Sequence, residues 1–137
     1  MALAKGYKAL VAEAEAKTTG IARDAAQAKL GDANTVFVDI RDVRELERDG
    51  MIPGAFHGPR GMLEFWVDPE SPYYKPVFAD GKSFILYCAA DLRAVLAAAT
   101  LQEMGMKNVF HLEGGFSAWK KDGRPCAEKP AHRAAHP

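Results

Sequence analysis

Three short apolar runs constrain this chain more than any other feature: TVFVDI at 35–40, SFILYC at 83–88 and NVFHL at 108–112. Each is rich in β-branched or aromatic residues and too short for a core helix, the pattern of a strand buried on both faces. Helical segments flank and separate them. Residues 24–30 read as a short helix closed by GDAN, and DVRELERDG as charged helical turns stopped by Gly50. Leu92, Val95, Leu96 and Ala99 share one helical face, which Gly105 can cap, and GGFSAWKKDG is a last helix between glycines. Strands that alternate with helices pair in parallel and need cover on both faces, so the expected class is α/β around a parallel sheet. Ligands of such sheets sit beyond the carboxyl ends of the strands. Cys88 stands at that end of its run.

The remaining segments are less regular. Leu3, Tyr7, Leu10, Val11 and Ala14 recur at helical spacing, so residues 1–20 are expected to be an amphipathic N-terminal helix ending near Gly20. IPGAFHGPRG is turn chemistry with a short strand at 55–57, and MLEFWVDPESPYYKP an ordered loop with one helical turn. The body of the fold is expected over 21–125, followed by a polar, fraying tail over 126–137. At 137 residues the chain suits one domain with its own core. Eighteen basic residues balance eighteen acidic ones without clustering, which excludes a general attraction to nucleic acid or to anionic membranes. No apolar run reaches membrane-spanning length and the first residues lack a signal-peptide core, so a cytoplasmic protein with two free thiols is expected.

The stretch YCAADLRAVL, residues 87–96, carries the chemistry. A loop joining a strand end to a helix start aims successive N–H groups inward and forms an anion-binding nest. The helix N-terminus adds unpaired amides and partial positive charge. In that setting the thiolate of Cys88 is expected to be favoured. Arg93 adds a positive charge that deprotonation cannot remove. Together, Cys88, the amides of Ala89, Ala90, Asp91, Leu92 and Arg93, and the Arg93 side chain would stabilise a thiolate, a persulfide or an arriving tetrahedral oxyanion.

Three stretches, FVDIRDVRELERDGMIPGAFHGPRG, ILYCAADLRAVLAAATLQEMGMKNV and LEGGFSAWKKDGRP, resemble the signature regions of single-domain rhodaneses, in order and at normal separations. The resemblance covers residues 21–125. It implies a rhodanese-like α/β fold with a central parallel sheet of four to five strands and helices on both faces. It further implies a thiosulfate-type sulfurtransferase with Cys88 as nucleophile, using no metal or organic cofactor because the Cys88 persulfide is itself the carrier. The expected partners are a small anionic sulfur donor and a thiol or cyanide acceptor, a protein thiol included. Between Cys88 and Arg93 lie residues 89–92, one fewer than in the related phosphatases and arsenate reductases of this fold, which points to sulfur rather than phosphate.

The pattern departs from that family at Asp91, where glycine is usual, at Ala94 in place of a frequent serine, and at Met51 in place of histidine. Two orientations of Asp91 stand open. Its carboxylate could face the cradle and repel an anion, or point outward and cap the following helix. The first would favour a rival reading, a rhodanese-fold binding or redox-sensing module with little catalysis. Arg60 is a candidate second anion contact or a solvated arginine, and Phe65 and Trp66 are pocket walls or core. Asp39 and Arg41 are expected to tie the loop layer together, and Trp119 and Phe116 to be core. Cys126 is either a resolving thiol for the persulfide or incidental, and the four histidines show no metal-ligand spacing.

Overall fold

The computed structural model describes residues 1–79 and 81–130. Five parallel strands form one sheet in the order β1-β5-β4-β2-β3: β1 Thr19–Ile21, β2 Thr35–Asp39, β3 Phe56–His57, β4 Ser83–Tyr87 and β5 Val109–Leu112. Among the described residues six α-helices accompany them: α1 Tyr7–Lys17, α2 Arg23–Gln27, α3 Val43–Asp49, α4 Leu63–Val67, α5 Leu92–Glu103 and α6 Gly115–Lys121. The side-chain period of two along each strand sorts the apolar runs into two cores. Val38, Phe84, Leu86 and Val109 face α4 and α5, while Phe37, Ile85, Tyr87 and Leu112 face α2 and α6. The expected two-sided α/β architecture is therefore the observed one.

Local chemistry sets most element ends. Asp42 accepts from the Arg44 N–H at 2.8 Å and Glu45 reaches back to the Asp42 N–H at 3.0 Å, a capping box that starts α3. Gly50 ends that helix at φ 85°, a conformation that suits glycine. Small residues of α5, Ala94, Ala97 and Ala98, let it lie close on the sheet.

Two expectations about the first residues are corrected. The N-terminal helix stops at Lys17, where Thr18 turns its N–H and hydroxyl onto the Ala14 carbonyl. Gly20 then lies within β1, which pairs with β5 through Thr19↔Phe110 and Ile21↔Leu112. Only Val11 and Ala14 of α1 are buried, against Val95 of α5, whereas Leu3, Tyr7 and Leu10 are exposed. Near the other end, Ala127 exchanges two backbone hydrogen bonds with Met51 (2.9 and 2.8 Å), so the chain is tied down that far. Residues 131–137 of the expected tail lie outside the described residues. Among the described residues no helix is long and apolar enough to cross a membrane.

Beneath the loops lies a buried ion pair. Arg41 donates to both oxygens of Asp39 (2.9 and 2.6 Å) and to the Gly50 carbonyl (2.7 Å), and both side chains are at most 1% exposed. The guanidinium lies over the Phe116 ring at 4.4 Å and the Tyr87 ring at 5.6 Å. Burial opposes its charge, and Asp39 outweighs that, leaving Arg41 more firmly protonated than usual. The Tyr87 hydroxyl accepts from the Ile52 N–H at 3.0 Å, and burial beside Asp39 pushes its pKa up. Asp39→Asn should destabilise the protein by about 3–5 kcal/mol, because it leaves Arg41 buried without its counter-charge. Urea unfolding checks this; a loss under 1 kcal/mol would mean that the pair is dispensable.

Candidate active site

Strands β2 and β4 are neighbours, but the chain leaves them in opposite directions: β2 continues through α3 to β3, and β4 through α5 to β5. That reversal opens a crevice at their carboxyl ends, where open α/β sheets bind ligands. Cys88 follows β4 directly into this crevice. The residue is only 1% exposed, and it shares a buried cluster with Leu86, Ala94 and Ala97. The chain then turns over Ala89, Ala90 and Asp91 before α5 begins at Leu92.

Two hydrogen bonds orient this turn. The Phe116 N–H donates to the Cys88 carbonyl at 2.8 Å, and the Ser117 N–H to the Ala89 carbonyl at 3.0 Å. A trans peptide points its N–H opposite to its C=O, so the N–H groups of Ala89 and Ala90 are aimed away from α6. At the start of α5 the first backbone bond runs from the Val95 N–H to the Asp91 carbonyl. Among the described residues no acceptor is paired with the N–H groups from Ala89 through Arg93. They are available to an anion. This contact demands glycine at 115: its φ is 65°, and a Cβ there would lie 2.5 Å from the Ala89 oxygen.

Arg93 stands at the rim with its side chain 44% exposed, and it is clamped rather than free. Its two terminal nitrogens donate to the two oxygens of Glu45, each at 2.9 Å, in a bidentate pair across the crevice. Glu45 thus serves two elements, closing the α3 capping box and fixing Arg93. The Arg93 hydrogen bonds, aided by the Asp42 N–H, hold its carboxyl down at about 2 despite burial. The same pair raises the basicity of Arg93, against the effect of its partial burial. The sequence reading missed Glu45. Its place three residues past Asp42 was the available signal, but that spacing spoke only of a helix start.

Asp91 adopts neither orientation expected from the sequence. Its backbone is left-handed (φ 70°, ψ −5°), as the usual glycine would be, and occupies the cap position of α5. The side chain makes no cap hydrogen bond. Instead its two oxygens lie 2.8 and 3.1 Å from Nδ1 of His111 on β5. Burial pushes the Asp91 pKa up, with His111 acting against that rise.

Other candidates lie elsewhere. Arg60 is engaged by Glu64 at 3.0 Å and by Thr100, toward the far end of α5, at 3.4 Å. Trp66 packs edge-on against Phe56 with Lys75 over its ring, and Phe65 faces solvent. Phe116 and Trp119 are core. Cys126 is an exposed free thiol whose sulfur contacts the Arg124 carbonyl at 3.4 Å, and its partial burial raises its pKa.

Residues 22–122 match the rhodanese-like domain family. A sulfurtransferase of Allochromatium vinosum is 31% identical over 98 residues, 71% of this chain and 83% of that protein. Among solved structures, a Rhodopseudomonas palustris protein named as a possible tyrosine phosphatase matches with a TM-score of 0.88 and 51% identity. That match covers 92% of this chain and 97% of that one. The polysulfide-sulfur transferase homodimer of Wolinella succinogenes gives 0.67 and 29% identity, covering 95% of this chain and 92% of that one. Some curated relatives are much longer: the chain spans 47% of a Synechocystis protein and 30% of a tRNA uridine(34) hydroxylase of Prochlorococcus marinus.

The clamp has a pH signature. Glu45 titrates lower in the folded chain (about 2) than at its ordinary value of 4.5. Its contribution to stability is therefore complete above about pH 4.5 and is lost as pH falls through about 2. Gln at 45 keeps the capping-box geometry and removes the charge. The stability gap between the parent and Glu45→Gln should be constant near neutrality and shrink from pH 4.5 downward. Urea midpoints measured across that range check this, and a gap independent of pH would contradict it.

Proposed function

The chain belongs to the rhodanese-like family, and from that premise we propose that it is a sulfurtransferase in which Cys88 carries the sulfur as a persulfide. The observation that carries this reading is the turn over 89–91: the Cys88 and Ala89 carbonyls are taken by α6, and its amides are left for an anion. The Cys88 thiolate attacks the outer sulfur of a donor such as thiosulfate. A new S–S bond forms, the donor's S–S bond breaks, and sulfite leaves with the electron pair. The terminal persulfide sulfur is anionic, and the free amides, the α5 N-terminus and Arg93 offset its charge. An acceptor thiolate or cyanide then attacks that sulfur and returns the Cys88 thiolate, so the cycle needs no external oxidant or reductant. Arg60, committed to Glu64 and Thr100, is given no part in it.

The sulfurtransferases among the relatives support this assignment. The phosphatase named for one structural relative is the competing chemistry. Against it stands the loop length: only residues 89–92 separate Cys88 from Arg93. A rival from another class, a rhodanese-fold binding or redox-sensing module, draws on the 1% exposure of Cys88. The two readings differ in whether a small donor can reach the sulfur.

Intact mass after incubation with thiosulfate or 3-mercaptopyruvate should rise by one sulfur atom, reversibly with dithiothreitol, and Cys88→Ser should take up none. Sulfur uptake by Cys88→Ser equal to that of the parent would refute the assignment. No uptake by the parent from any donor would favour the binding module. Arylphosphates should not turn over, and robust hydrolysis would overturn the argument from loop length.

A further inference from the structure

The partner chosen by Asp91 explains how a carboxylate is tolerated in this loop. His111 pairs in register with Leu86 of β4, so its side chain lies on the α5 face of the sheet, the face that Cys88 also occupies. It is 5% exposed and stands under the start of α5. Gly20 of β1 leaves it room, since a Cβ there would lie 3.0 Å from the His111 ring carbon Cε1. The other charges that act on Asp91 at this spot are Glu15 of α1 and Glu113 beyond β5, both acidic. His111 is the side chain that the fold places within hydrogen-bond distance of the carboxylate. With Asp91 ionised, Nδ1 must carry the proton, because a carboxylate only accepts.

We propose that His111 is a positioning residue for the Cys88 loop. It draws the Asp91 carboxylate toward β5, so that Asp91 can fill the left-handed position of a glycine without placing its charge among the loop amides. Two effects follow from the one contact. The hydrogen bond anchors the backbone at φ 70°, a conformation that disfavours most side chains. It also denies the carboxylate the free N–H groups at the α5 N-terminus, its natural alternative as an uncapped aspartate. Released from His111, Asp91 would compete with the anion that the loop is built to hold.

The inference rests on Cys88 being the reacting thiol, not on the identity of the sulfur donor. Two readouts keep the two apart: the rate of Cys88 alkylation by iodoacetamide, followed by intact mass at pH 7 in a Cys126→Ser background, and persulfide formation from thiosulfate. The substitutions exploit atom placement. An asparagine amide nitrogen lies as many bonds from Cα as the histidine Nδ1, whereas that of glutamine lies one bond farther. His111→Asn should therefore react within about twofold of the parent, and His111→Gln and His111→Leu roughly fivefold slower or more, an effect of about 1 kcal/mol on the barrier. Adding Asp91→Asn to His111→Leu and to His111→Gln should raise their rates severalfold, to that of Asp91→Asn alone. A merely structural histidine would not give that rescue. Parent-like alkylation in both His111→Gln and His111→Leu, or slow alkylation that Asp91→Asn fails to restore, would overturn the proposal. If His111→Leu does not fold, the contrast between Asn and Gln decides. Loss of persulfide formation with the alkylation pattern intact would instead count against the sulfur chemistry alone.

Discussion

A charge cannot be left alone in a protein core, and the Asp39–Arg41 pair shows how much of this fold is arranged around that rule. Arg41 is fully buried, and every feature of its surroundings serves its cation: two carboxylate oxygens, a helix-end carbonyl and two aromatic faces. Each partner comes from a different element. Asp39 ends β2, Gly50 closes α3, Tyr87 ends β4 and Phe116 opens α6. Satisfying one guanidinium therefore fixes four element ends relative to one another. Asp39, Tyr87 and Phe116 all stand at the carboxyl-end edge of the sheet, where the site is built.

The site inherits that rigidity. Phe116, which lies under Arg41, also donates its N–H to the Cys88 carbonyl, so the buried pair and the loop share a residue. Across the crevice the Arg93–Glu45 clamp joins the helix after β4 to the helix after β2. An exposed ion pair contributes little by itself. This one is bidentate and sits on a capping box that already orders Glu45, so less side-chain freedom is lost in forming it. What results is a recessed cysteine, a turn of unpaired amides and a tethered arginine. For a chain of the rhodanese-like family, that is an arrangement suited to a small anion.

Asp91 illustrates how a local rule and its exception coexist. Glycine relieves the left-handed turn for reasons of backbone sterics alone. Aspartate can hold the same turn only when its charge is dealt with, and here a histidine from a strand twenty residues downstream deals with it. The departure from the family pattern is therefore matched elsewhere in the same fold.

What the sequence determined by itself was periodic or contiguous. The apolar runs at 35–40 and 83–88 were legible as buried strands because a strand with cover on both faces needs such a run. The helix after Cys88 was legible from the 3.6-residue spacing of Leu92, Val95, Leu96 and Ala99, and the family from three motifs in order. The short β1 was not, since three residues containing a glycine carry no pattern and become a strand only by pairing with β5. Nor was the destination of a long side chain. Arg93 could be placed in the first turn of its helix, but not its clamp to Glu45, 48 residues away. The turn at Asp91 could be read, but not the reach of its carboxylate to His111. Spacing along a chain fixes backbone state through local sterics and periodicity, whereas a polar side chain is committed to whichever partner the packed sheet brings within about 3 Å, and that proximity exists only after the strands have paired.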